Sequence, residues 1–236
     1  GAAIDMAATL TTPDADPEQV LLPFAPRVTG PSPYRASPSQ TKASDLLHHW
    51  IKRILGSEGG LTSIALTGPR GSGKSRLVDE ALAARQDLQV VRLQISDTLP
   101  LDVFAEINAA TAEGRILILE GRRPVDKWFI HDPVPVPMDL TSRLAAAPEI
   151  TLDRPGTDAL LRALRADLDV HGHRLSYQHR KAVAASLPRH FSAPRLFCQA
   201  LDEAPADRPL ADRLEASLAR VEEQMTGTLD RGVGRS

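Results

Sequence analysis

Gly68-Pro69-Arg70-Gly71-Ser72-Gly73-Lys74-Ser75 reads G-x-x-x-x-G-K-S, the P-loop pattern with no departure. Working outward, Leu61–Thr67 (LTSIALT) predicts a buried strand and Lys74–Ala84 (KSRLVDEALAA) a helix. The chemistry needs that order. Glycines let backbone N–H groups turn inward around phosphates. The helix start adds the positive end of its dipole. Lys74 can reach the β- and γ-phosphates, and the Ser75 hydroxyl can ligate Mg²⁺. The stretch predicts a site for a nucleoside di- or triphosphate, which is a statement about binding and not about hydrolysis.

Beyond the loop, the chain alternates strand and helix. A helix is predicted at 41–55, with Leu47, Trp50, Ile51 and Ile54 at helical spacing and Gly56 as its stop. Further strands are predicted at Gln89–Ile95, Arg115–Leu119 and Glu149–Leu152, with helices at Pro100–Glu113 and Met138–Ala147. That alternation predicts an α/β domain with a mainly parallel sheet. From Asp153 the pattern becomes all helical: Thr157–Val170, 176–187, a helix capped by Ser192, and one starting near Pro209 that frays from about residue 227. Residues 1–40 hold seven prolines, from Pro13 to Pro38, and predict an extended tail with one apolar island, Val20–Phe24. The domains expected are thus 1–40, 41–153 and 154–236.

Composition closes off several classes. The net charge is −2, so no strong field draws the chain to nucleic acid or membrane. The single cysteine, Cys198, excludes an internal disulfide and suits a reducing cytoplasm; its apolar helical neighbours predict a packed core thiol. No apolar run reaches membrane-spanning length, and no signal peptide is visible. The histidines, His48–His49 and His171–His173, lack zinc spacing and predict structural roles.

An α/β nucleotide domain followed by a small helical lid is the AAA+ arrangement, and particular stretches sharpen it. Gln19–Phe24 (QVLLPF), Tyr34-Arg-Ala-Ser-Pro-Ser with the helix reaching His49-Trp50, Asn108–Gly114, Arg115–Trp128 (RILILEGRRPVDKW), Met138–Leu144 and Ser192–Leu196 resemble, in this order, segments of the DnaA/Hda branch of the AAA+ family, its Hda side more closely. The resemblance covers nearly the whole chain, but only the P-loop and the QVLLPF peptide are individually sharp.

It implies ADP or ATP with Mg²⁺ at the P-loop. It implies a sliding-clamp-binding peptide in which Leu22 and Phe24 anchor, Pro23 lies between them and Gln19 hydrogen-bonds at the rim. It makes Arg143 an arginine finger offered in trans to ATP on DnaA, worth roughly 10³–10⁵ in rate for such fingers. Arg195 takes the place of the lid arginine that faces phosphate. A cation in a first helical turn opposes the dipole by about 0.3–1 kcal/mol, which is understandable if both point at an anion. No basic recognition helix follows the lid, so sequence-specific DNA binding is not expected, while a homo-oligomer stays compatible.

Two departures from the family stand out. Only one strand, Gln89–Ile95, fits where the family has two, and no paired acids end it: either a strand is lost and Asp97 is a remnant acid, the candidate metal ligand beside Ser75, or the acidic strand itself is missing. Glu120 takes the sensor-1 position, where a carboxylate repels a γ-phosphate unless it is paired, with Arg122 and Arg123 the basic residues next in sequence. Both departures weaken the case for hydrolysis by this chain. The leading expectation is an Hda-like regulator that acts on DnaA; the rivals are a non-catalytic adaptor for the clamp or DnaA, and a loader ATPase.

Overall fold

Four parallel strands carry the first unit. The computed structural model describes residues 37–56 and 60–232, so the stretch with Gln19, Leu22, Pro23 and Phe24 lies outside the described residues. β1 (Ser63–Thr67), β2 (Val90–Gln94), β3 (Ile116–Gly121) and β4 (Glu149–Thr151) lie in the order β2-β3-β1-β4. The central strands β1 and β3 are buried along their whole length, which is why IAL of β1 and ILIL of β3 read as apolar runs. β2 is an edge strand and alternates: Val91 and Leu93 pack into the core, while Arg92 and Gln94 face the other way.

The register places Leu66 and Gln94 on either side of Glu120. This ladder explains the main difference from the expected strand ends. β3 runs on past Leu119 because both neighbouring strands still pair at Glu120 and β1 also pairs at Gly121. A charged residue read from sequence as the end of a strand is instead inside the sheet.

Helices α1 (Thr41–Gly56), α2 (Lys74–Ala83), α3 (Pro100–Glu113) and α4 (Met138–Ala146) cover the sheet. On one face, Ala65, Leu117 and Leu119 pack with Val103, Ile107 and Ala110 of α3 and Leu140 and Leu144 of α4. By strand alternation, Ile64, Leu66 and Ile118 point to the opposite face, and all three are fully buried. Truncating any of them to alanine would cost about 2–5 kcal/mol. α3 begins with Pro100, whose missing N–H is not needed there, and ends where Gly114 takes φ +66°.

Pro155 opens a second unit of four helices: α5 (Thr157–His171), α6 (Tyr177–Ser186), α7 (Ala193–Glu203) and α8 (Leu210–Gly232). Its core joins Leu160, Leu164 and Leu168 with Val183, Phe197, Leu201, Leu214 and Val221. Cys198 is fully buried in it, and burial pushes the thiol well above its ordinary range, so it is a packing residue. α8 continues through Gly227 to Gly232, past the expected fraying point. An isolated glycine costs about 1 kcal/mol in a helix without breaking its hydrogen bonds.

Two capping positions behave differently. Ser176 accepts a hydrogen bond from the His179 N–H at 3.2 Å, whereas Ser192 occupies the N-cap of α7 without a side-chain cap bond. The backbone explains why. Ser192 is itself in the helical region, φ −76° and ψ −17°, and its side chain is not set for the usual reach. His171 and His173, at and just past the end of α5, both hold the Asp202 carboxylate of α7, at 2.6 and 2.5 Å. No helix among the described residues is long and apolar enough to cross a membrane.

Candidate functional site

The loop between β1 and α2 is pinned at its base. The Gly68 N–H donates to the Gly121 carbonyl at 3.1 Å, and the Leu152 N–H donates to the Thr67 carbonyl at 2.7 Å. The ends of β3 and β4 therefore flank the start of the loop. Gly68 has φ +155°, and a Cβ there would stand 2.4 Å from the Leu152 oxygen and 2.9 Å from Ser72 Oγ. Only glycine fits. Gly71 and Gly73 also have positive φ, 78° and 91°. Gly73 is the N-cap of α2 and brings no side chain, so it leaves the first-turn N–H groups uncapped by its own atoms.

Lys74 spans the loop it follows. Its Nζ donates to the carbonyls of Gly68 at 2.6 Å and Pro69 at 3.1 Å, and reaches Ser72 Oγ at 3.5 Å. Ser72 is fully buried, with its N–H on the Pro69 carbonyl. Arg70 and Ser75 are exposed. Burial lowers the Lys74 pKa, the nearby Glu120 carboxylate raises it, and Arg122 lowers it further. The result is a loop with one ammonium group drawn across it and a helix start without a side-chain cap, chemistry suited to an oxyanion such as phosphate.

The ends of the neighbouring strands tell a different story. Glu120 is buried, and its partner is not Arg122 or Arg123, the residues adjacent in sequence. Instead, Arg92 Nη2 donates to its Oε1 at 3.3 Å, and Gln94 Nε2 donates to its Oε2. Arg92 also donates to Asp79 at 2.6 Å and to the Ser75 carbonyl at 3.3 Å, tying β2 to the first turns of α2. Parallel pairing puts residues two apart on one face, so Arg92 and Gln94 converge on Glu120 across the ladder. Sequence reasoning missed this pair. The available signal was a basic and an amide residue at i and i+2 in an otherwise apolar edge strand. Asp97 follows on an exposed 3-10 turn, Ile95–Asp97, where Ser96 Oγ donates to it at 3.4 Å.

The Pro-rich stretch after β3 is anchored by Trp128. Its ring lies on Gly121, where a Cβ would sit 2.4 Å from Nε1, and Nε1–H donates to the Arg123 carbonyl at 2.8 Å. Phe129 beside it takes φ +62°, rare for a residue with a Cβ. On α4, Arg143 is exposed, its guanidinium 5.6 Å from the centre of the Phe104 ring. Asp139, one turn back, makes no ion pair with it. Arg195 is half-buried in the first turn of α7, in the helical unit.

No protein-family model and no curated protein matches the sequence. Solved structures do match the fold. Domain III of the replication initiation protein DnaA from Thermotoga maritima superposes with a TM-score of 0.59 at 13% identity, over 80% of this chain and 94% of that one. AMPPCP-bound DnaA from Aquifex aeolicus gives 0.54 at 14% identity, over 83% and 69%. The ORC2 protein of Aeropyrum pernix, in ADPNP and ADP complexes, gives 0.56 at 11% identity, over 83% and 70%.

This is an AAA+ fold. Within it, the P-loop stands where β1 meets α2, and a helical unit follows the α/β unit. The strand beside β3 ends in Gln94-Ile95-Ser96-Asp97 rather than in paired acids.

Proposed function

We propose that the chain is an adenine-nucleotide-binding regulator of replication initiation that holds its nucleotide without turning it over at ordinary enzyme rates. The observation that carries this is the intact Gly68–Ser75 loop beside strand ends whose carboxylate, Glu120, is already engaged by Arg92 and Gln94. In the same reading the nucleotide is ADP, gripped by the loop and Lys74. The peptide Gln19–Phe24 docks on the DNA polymerase sliding clamp. Arg143 then meets ATP held by DnaA and promotes its hydrolysis. Its exposure and its lack of an ion pair among the described residues leave the guanidinium available for a phosphate charge in trans.

The test adds the protein to ATP-bound DnaA with clamp-loaded DNA and measures released phosphate. Stimulation that disappears in Arg143→Ala, and in Gln19→Ala combined with Phe24→Ala, is expected. Clamp binding without stimulation would favour the adaptor reading, which the paired, non-acidic end of β2 also suits. Magnesium-dependent turnover by this chain alone, lost in Lys74→Ala, would overturn the regulator reading.

A further inference from the structure

The family resemblance implies Mg²⁺ held by Ser75 and a strand-end acid, and the residues present do not fit that ion. Mg²⁺ demands near-octahedral oxygen ligands and is held at such sites by one or two carboxylates together with the substrate phosphates. Two carboxylates meet the start of α2, and both are taken. Glu120 is buried with each oxygen accepting a hydrogen bond, one from Arg92 and one from Gln94. Asp79, one turn beyond Ser75, accepts from the same guanidinium at 2.6 Å. That guanidinium also donates to the carbonyl of Ser75, the residue whose hydroxyl would ligate the ion. Both carboxylates are thus committed to a guanidinium that they would have to release before turning to a dication, and Asp97, the remaining candidate acid, accepts from Ser96 Oγ and has no hydrogen bond or ion pair to α2 among the described residues. The strand position opposite Glu120 is Gln94, an amide with no charge to offer.

We propose that phosphate binding at Gly68–Ser75 is independent of a divalent cation, because Arg92, fixed on Ser75, Asp79 and Glu120, occupies the carboxylates that would otherwise hold one. An arginine suits this role because its planar fork can hold several acceptors at once and it is never deprotonated in a protein. The inference rests on the reading of the loop as a nucleotide site and adds why that site needs no metal.

The experiment titrates ADP into the full chain by calorimetry, once with millimolar Mg²⁺ and once with excess EDTA. The expected result is an affinity that changes less than about threefold, under 1 kcal/mol, between the two buffers. A loss of more than about tenfold in EDTA that Mg²⁺ restores would overturn the inference while leaving the nucleotide reading intact. No binding in either buffer would overturn the nucleotide reading, and the inference with it. A second arm uses Arg92→Ala, checked for folding by its thermal melt. It should bind ADP on the order of tenfold more tightly with Mg²⁺ than in EDTA, because Glu120 is then free to hold the ion. A folded Arg92→Ala whose ADP affinity is the same in both buffers would overturn the role of Arg92. If this variant does not fold, the comparison of the two buffers on the unmodified chain still decides whether the site needs the metal.

Discussion

The loop after β1 and the strand ends beside it lie within a few residues of one another and follow opposite rules. The loop keeps every residue that a phosphate cradle needs, including three glycines at positive φ and a lysine drawn across them. The strand ends replace the free acids of a hydrolytic centre with a closed group of Arg92, Gln94 and Glu120. The difference teaches that gripping a phosphate and activating water are physically separable. The first needs N–H groups and one cation, whereas the second needs unpaired carboxylates, and a fold can retain one set while satisfying the other internally.

The largest effect should come from attacking the cradle at its base. Gly68→Ala sets a Cβ against the Leu152 carbonyl, which is backbone and cannot step aside. Strain in such backbone costs roughly 1–3 kcal/mol before the collision is counted. Chemical denaturation should show at least that loss, and nucleotide affinity should fall by on the order of 100-fold or more. Wild-type affinity in this variant would mean that the loop is not the phosphate site.

Lys74→Ala comes next. It should weaken ADP binding by on the order of 100-fold, about 2.7 kcal/mol, while changing stability by less than about 1 kcal/mol, because the ammonium holds only its own loop. The same lysine supplies a pH test. Burial depresses its pKa, so between that value and the ordinary lysine value the folded chain binds fewer protons than the unfolded one. Stability therefore gains from this group as pH rises through that window, while phosphate affinity falls. Alkaline denaturation curves and ADP titrations on wild type, with Lys74→Met as reference, should show the two slopes with opposite signs.

Glu120→Ala addresses the other half of the comparison. It leaves Arg92 and Gln94 without their shared acceptor and should cost about 1–3 kcal/mol in urea denaturation, with nucleotide affinity changing little. A variant that unfolds like wild type but no longer binds nucleotide would place Glu120 in the cradle and erase the distinction. The smallest effect separates two serines of the helical unit. Ser176→Ala should cost about 1 kcal/mol because its cap bond is made, and Ser192→Ala less than about 0.5 kcal/mol because its cap bond is not.

Much of this was legible in the chain because it is local. The strand–loop–helix order around Gly68–Ser75, the apolar centres of β1 and β3, the proline start and glycine stop of α3, and the all-helical pattern after Pro155 are set by side-chain period and backbone chemistry over a few residues. The loop's glycines could be assigned without coordinates because their conformations exclude other residues. Ser192 shows the limit of such local rules, since a good capping residue went unused once its own backbone turned helical.

The sequence by itself determined that a P-loop turn links β1 to α2 and which residues line it, because a P-loop is built from contiguous backbone. Only the tertiary structure decided what surrounds it. Parallel pairing of β2 with β3 carried Arg92 and Gln94 to Glu120 across 28 and 26 residues of chain. It left Arg122 and Arg123, the sequence neighbours, out of that contact. Charge pairing depends on distance in space, and a parallel sheet makes neighbours of strands that the chain separates by a helix.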